Sequence, residues 1–276
     1  MVKTNLMAEL TWTEYQERLE RENPIVMLPV GALEQHGPHL PMGTDHMIPM
    51  AISRRVAERI PAIVAPPFNY GYKSQPKMGG GQHFCGTTSL DGHSLSRILR
   101  DVLMEFARHG ARRVAVIDGH YENSMFLTEG IDLAMRELRY DGVRNMKIVR
   151  LEYWDFATEK TLAKVFPDGF PGHALEHAAV METSISLYLH PELVRVNKIP
   201  KDPPANFPAY DVYPTNTSWV PPSGVLSPAG AATRDKGKFL FEEYVATISV
   251  ALAKEFGTRG GKTAGKRAGR KGKGKK

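Results

Sequence analysis

The sequence predicts an α/β fold in which a mostly parallel sheet is covered by helices on both faces. Two observations carry that expectation: four short apolar, β-branched runs, and the helix-length amphipathic segments that separate them. The first run, Ile25-Val-Met-Leu-Pro-Val30, lacks a polar face and reads as a buried strand. A helix is expected over 47–60 and a second strand over 62–65. Leu95, Ile98, Leu99, Val102 and Phe106 fall at i, i+3, i+4, i+7 and i+11, one face of a helix. The strand Arg113–Asp118 follows. Leu127, Ile131, Ala134 and Leu138 repeat the helical spacing behind Asn123-Ser124, the expected N-cap. A fourth strand over 146–151 and helices over 177–189 and 235–256 complete the pattern, with no internal repeat. Two stretches, 68–92 and 199–228, are long loops; the second holds eight prolines, too many for regular structure.

Composition sets the class. With 42% hydrophobic and 24% charged residues among 276, the chain is neither disordered nor collagen-like. No run of 18 consecutive apolar residues is present and no secretory leader is visible, so a cytoplasmic protein without a membrane partner is expected. The formal charge of +6 misleads. The last 19 residues hold nine of the 36 Lys and Arg and no acid, so the body carries 27 bases against 30 acids. Residues 1–257 are expected to form a single domain, and 258–276 a disordered basic tail. Such a tail offers only salt-sensitive, sequence-blind attraction to nucleic acid or another polyanion. The one cysteine, Cys85, excludes an internal disulfide and a multi-cysteine zinc site, and is expected to be a small buried residue.

The densest polar cluster runs from Gly31 to His46, directly after the first strand. It presents Glu34, His36, His39, Asp45 and His46 among Gly and Pro residues that disfavour helix. A second cluster, Asp118-Gly-His120-Tyr121-Glu122-Asn123, stands in the same relation to the strand Arg113–Asp118. Ligands of open α/β sheets bind outside the carboxyl ends of strands, so the two loops are placed to converge. Imidazoles and carboxylates without thiolates suit zinc or manganese, and a short Asp can bridge two ions.

The string Glu34-Gln-His36-Gly-Pro-His-Leu-Pro-Met-Gly-Thr-Asp45 resembles the signature of the creatininase (creatinine amidohydrolase) family. The likeness continues through Tyr70-Gly-Tyr-Lys-Ser, Gly86-Thr-Thr-Ser-Leu-Asp-Gly92, Gly119-His-Tyr-Glu-Asn-Ser-Met-Phe126, Tyr153-Trp-Asp-Phe156, Glu176-His177 and Glu182-Thr-Ser184, and spans essentially 10–256. The segments are most similar to the bacterial creatininase branch. This resemblance implies a three-layer α/β/α hydrolase, usually a homohexamer, with two divalent ions per subunit. Carried over by motif position, Glu34 and His120 hold one ion, His36 and Glu122 the other, and Asp45 bridges. His39 and His46 become neighbours of the site.

The implied reaction is reversible hydrolysis of a cyclic amide, creatinine, to creatine, by a hydroxide bridging the two ions. Glu122 and His177 are the expected catalytic groups, His177 returning a proton to the leaving ring nitrogen. Glu176 and Glu182 are expected beside the ligands as supports. Tyr121, Trp154, His173 and Met78 are the expected substrate contacts. His173 stands where creatininases place a tryptophan that closes over the substrate, and Met78 where close relatives have a small polar residue. Amide hydrolysis of a formamide or peptide-like substrate is the rival enzymatic reading, and polyanion binding by the tail the non-enzymatic one.

Overall fold

The computed structural model describes residues 4–75, 77 and 81–258. Four strands, β1 (Ile25–Val30), β2 (Ala62–Val64), β3 (Arg113–Asp118) and β4 (Lys147–Glu152), form one all-parallel sheet in the order β2-β1-β3-β4. Its register pairs Met27 with Val64 on one side of β1 and with Ala115 on the other. The chain leaves β1 towards one edge and returns to β3 on the opposite side. The carboxyl ends of β1 and β3 therefore flank the point where the winding reverses.

Alternation along β1 explains the layers. Ile25 and Met27 face one core with α2 (Thr44–Ala57), α6 (Val180–Leu189) and α7 (Arg234–Phe256). Val26, Leu28 and Val30 face the other with α3 (Gly92–Arg108) and α4 (Ser124–Tyr140). All six residues of β1 are buried, as a strand with helices on both faces requires. The expected three-layer α/β/α arrangement is thus observed. No helix among the described residues is long and apolar enough to cross a membrane.

Several local expectations need correction. Helix α1 (Trp12–Glu22) was not anticipated, although Thr11 and Glu14 form a reciprocal capping box at its start. A short helix α5 (Glu159–Val165), capped by Thr158, was also missed. Helix α6 starts at Val180 rather than 177, because Ala178 takes a left-handed backbone (φ 54°) that ends any helical continuation. Asn123 does not cap α4 with its side chain. Cys85 is exposed, not buried. The basic tail beyond Thr258, and Met78, lie outside the described residues.

Candidate metal centre

Two loops at the carboxyl ends of β1 and β3 bring most of the acids and imidazoles together, and two glycines permit it. A Cβ on Gly31 would lie 2.4 Å from the Asp45 carbonyl oxygen, and one on Gly119 would lie 2.2 Å from the same atom. Only hydrogen at both positions lets the first turn of α2 settle between the strand ends. Asp45 sits in that turn, where the helix N-terminus favours a negative charge.

Asn123 uses the side chain that does not cap α4 to tie these loops. Its Nδ2 donates to Gly31 O (3.2 Å) and to Asp118 Oδ1 (3.1 Å). Its Oδ1 accepts from Tyr72 N at 2.8 Å. Asp118 Oδ1 also accepts from His120 N (3.2 Å), while His120 Nε2 donates to Tyr72 O (2.9 Å). That last bond leaves Nδ1 of His120 as the free lone pair, 3.0 Å from Asp45 Oδ2 and 3.2 Å from Glu34 Oε2.

His36 is arranged in the opposite sense. Its Nδ1 donates to Glu34 O (3.1 Å), so Nε2 faces Asp45 Oδ1 at 2.9 Å and Glu182 Oε1 at 3.7 Å. Asp45 thus turns one oxygen to each histidine. Three donor groups emerge: Glu34 with His120 and Glu122, His36 with Asp45 and Glu182, and Glu34 with His36 and His177. Glu122 therefore lies with Glu34 and His120, 3.4 Å from the Nε2 side of that ring. Glu182, expected as a support, brings an oxygen to His36 and Asp45.

The donor set fits a cation pair. His36 Nε2 and Asp45 Oδ2 are buried without a hydrogen-bond partner among the described residues, atoms that a cation would satisfy. Burial opposes charge on both rings. Even so, Asp45 and Glu182 push His36, and Glu34, Glu122 and Asp45 push His120, well above the usual histidine range. A field that draws a proton onto an imidazole also draws a cation to its lone pair. Burial likewise raises Glu122 to about 7, against the pull of His120, while Glu34 and Asp45 are held low by the histidines despite their burial.

Above these donors is a cavity whose empty volume, open mouth included, is about 560 Å³. Tyr121, Trp154 and His173, the expected substrate contacts, line it together with Glu176, His177 and Glu182. The Tyr121 and Trp154 rings lie nearly parallel, 6.4 Å apart at 28°. His177 donates from Nε2 to Gln35 O at 2.9 Å and packs against His36 with centroids 4.4 Å apart and the rings tilted by 42°, while its Nδ1 points inward, 3.9 Å from Glu34 Oε2. Burial and the neighbouring His36 keep this ring below the usual histidine range, in the neutral form.

Sequence reasoning missed several contributors. Ser74 donates to Glu34 Oε1, and its only signal was its place in the Tyr70–Ser74 motif. Gln35 Oε1 accepts from Gly37 N (2.8 Å), which shapes the loop carrying both ligands beside it. Nothing in the local sequence distinguishes Asn123 as a tie between loops, because a cap is the commoner use of Asn before a helix.

Comparison with known proteins gives a consistent picture. The family model described as creatinine amidohydrolase matches residues 8–252. A creatinine amidohydrolase of Pseudomonas putida is 50% identical over 257 residues, covering 93% of this chain and 99% of that protein. A mycofactocin precursor peptide peptidase of Mycobacterium ulcerans is 30% identical over 249 residues, covering 84% of this chain and 86% of that protein. A solved structure of creatininase with manganese superposes with a TM-score of 0.90 at 50% identity, covering 92% of this chain and 99% of that one.

Proposed function

The chain belongs to the creatininase family, and on that premise we propose that it is a dinuclear metal amidohydrolase catalysing the reversible hydrolysis of creatinine to creatine. The observation that carries this reading is Asp45 presenting one oxygen to His36 and the other to His120 beneath an aromatic-walled cavity. Glu34, His36, Asp45, His120 and Glu122 would hold two zinc or manganese ions. Bound there, the ions supply polarisation of the amide carbonyl and a lowered pKa for water.

The remaining work falls to the chain's own residues. Tyr121 and Trp154, stacked on one another in the cavity wall, offer an aromatic surface against which a flat cyclic amide can pack. Water adds to the lactam carbonyl carbon, the ring C–N bond breaks, and the departing nitrogen needs a proton. His177 is placed to relay it: with its Nε2–H engaged by Gln35 O, the free Nδ1 first takes up a proton from the attacking water and then hands it to that nitrogen. Glu122, which lines the same cavity, is suited to accept the proton that water gives up and to pass it to Nδ1 of His177. In the synthetic direction the same two groups exchange roles.

A second reading has one observation in its favour. Past Tyr121 and Glu122 the surface continues into a groove lined by Tyr72, Met125, Phe126 and Glu152, room that a linear or peptide-like amide would use. A substrate panel separates the two. Chain supplied with zinc or manganese and offered creatinine, creatine, an N-formyl amine and a short peptide should interconvert the first two. Turnover confined to the linear amides would replace creatinine as the substrate. We also read the assembly as a cytoplasmic homohexamer, supported by the family resemblance and by the exposed Met125, Tyr140, Tyr210 and Tyr213; light scattering measures its mass.

A further inference from the structure

Ala178 follows His177 directly, is fully buried, and has a φ of 54°. L side chains resist that conformation, and it persists only where the surroundings over-determine it. Both peptide groups of Ala178 are clamped. Its N–H donates to Glu182 Oε2 at 2.6 Å, and its carbonyl accepts from Thr183 Oγ1 at 3.3 Å.

The clamp has a further anchor. Thr183 Oγ1 lies 2.9 Å from His39 Nε2, and both side chains are fully buried. With His39 Nε2–H donating to the hydroxyl, the hydroxyl hydrogen is free to bond the Ala178 carbonyl. Burial keeps His39 neutral, which suits this donor role, and the ring also interacts directly with the Ala178 backbone. A relay thus runs from the loop that carries His36 to the backbone beside His177. The left-handed residue reverses the chain so that the His177 ring can pack against His36 and bond Gln35 O.

We propose that Thr183, backed by His39, is a positioning residue: its hydroxyl locks Ala178 in the left-handed conformation and so fixes the orientation of His177 over the reacting amide. The inference rests on the reading of His177 as the proton donor. It assigns work to two residues, neither of which needs to touch substrate or metal.

The test compares T183V, T183S and H177A in metal-loaded enzyme, reading kcat, KM, metal content and melting temperature. T183V removes the hydroxyl at nearly constant shape, and T183A serves if the valine variant does not fold. T183V should keep both cations and a KM within about twofold of wild type while kcat falls at least about tenfold, the signature of lost orientation. T183S should restore kcat to within about threefold. Adding A178G should shrink the loss caused by T183V, because glycine accepts the left-handed backbone without the clamp. Unimpaired kcat in T183V, equal impairment in T183S, or the same loss with and without A178G would overturn the inference. Near-wild-type turnover by H177A would instead remove the proton-donor reading on which it stands, whereas an inactive H177A beside an unimpaired T183V sinks the positioning role alone.

Discussion

Glu176 sits at the mouth of α6 in surroundings that suit its acid form. Burial pushes its pKa up to about 8, even though Met181 N–H donates to Oε2 at 2.8 Å and favours the anion. Its Oε1 has no partner among the described residues. An unfolded glutamate titrates near 4.5. Between that value and about 8 the folded chain holds a proton that the unfolded chain releases, so stability falls as pH rises through this window. E176Q retains an acceptor for Met181 N and removes the titration. In metal-free protein its melting temperature should gain on wild type as pH is raised from about 5 to about 8.5. A constant difference across that range would mean that Glu176 is already ionised. At this scale the ligand cluster was legible, because histidines and acids within loops rich in glycine and proline have few structural uses. Asn123 and Ser74 were not, since their work depends on atoms far away in sequence.

At the scale of elements, the approach of α2 to the strand ends is what makes a site of the two polar loops. Gly119 has Asp45 O at 2.2 Å and Pro49 Cγ at 2.7 Å from its virtual Cβ, so a methyl there must displace the start of the helix. Overpacking of this kind costs about 1–3 kcal/mol. G119A should therefore lower stability by that order and weaken cation binding further, as titration calorimetry with zinc would read. Unchanged zinc affinity in a folded G119A would show that Asp45 does not depend on this contact.

The four strands were legible to within a residue or so because short β-branched runs separated by helix-length segments leave few alternatives. The start of α6 was misplaced for a physical reason: the periodic pattern continues through Ala178, and nothing in an alanine announces a positive φ. Helix α1 carried its signal in the Thr11 and Glu14 capping pair, but its apolar stripe is narrow: Leu19 is its one buried residue and Trp12 is exposed.

On the scale of the whole molecule, the parallel order β2-β1-β3-β4 does most to position function. Reversal of the winding between β1 and β3 opens the crevice into which both ligand loops descend. The helices on the two faces bury β1 and β2 completely and β3 nearly so, leaving the sheet's carboxyl edge as the place where polar groups can gather. Likeness to creatininases over nearly the full chain agrees with a site built from loops on this frame.

The central claim is that Glu34, His36, Asp45, His120 and Glu122 hold two ions that enable amide hydrolysis. Metal analysis of protein reconstituted with zinc or manganese, run beside creatinine turnover on the same sample, tests it most directly. Two ions per chain are expected, with activity that disappears on chelation and returns with metal, and loss of ions in D45A. A folded, fully active protein that binds no ions, or a D45A variant that keeps both, would contradict it.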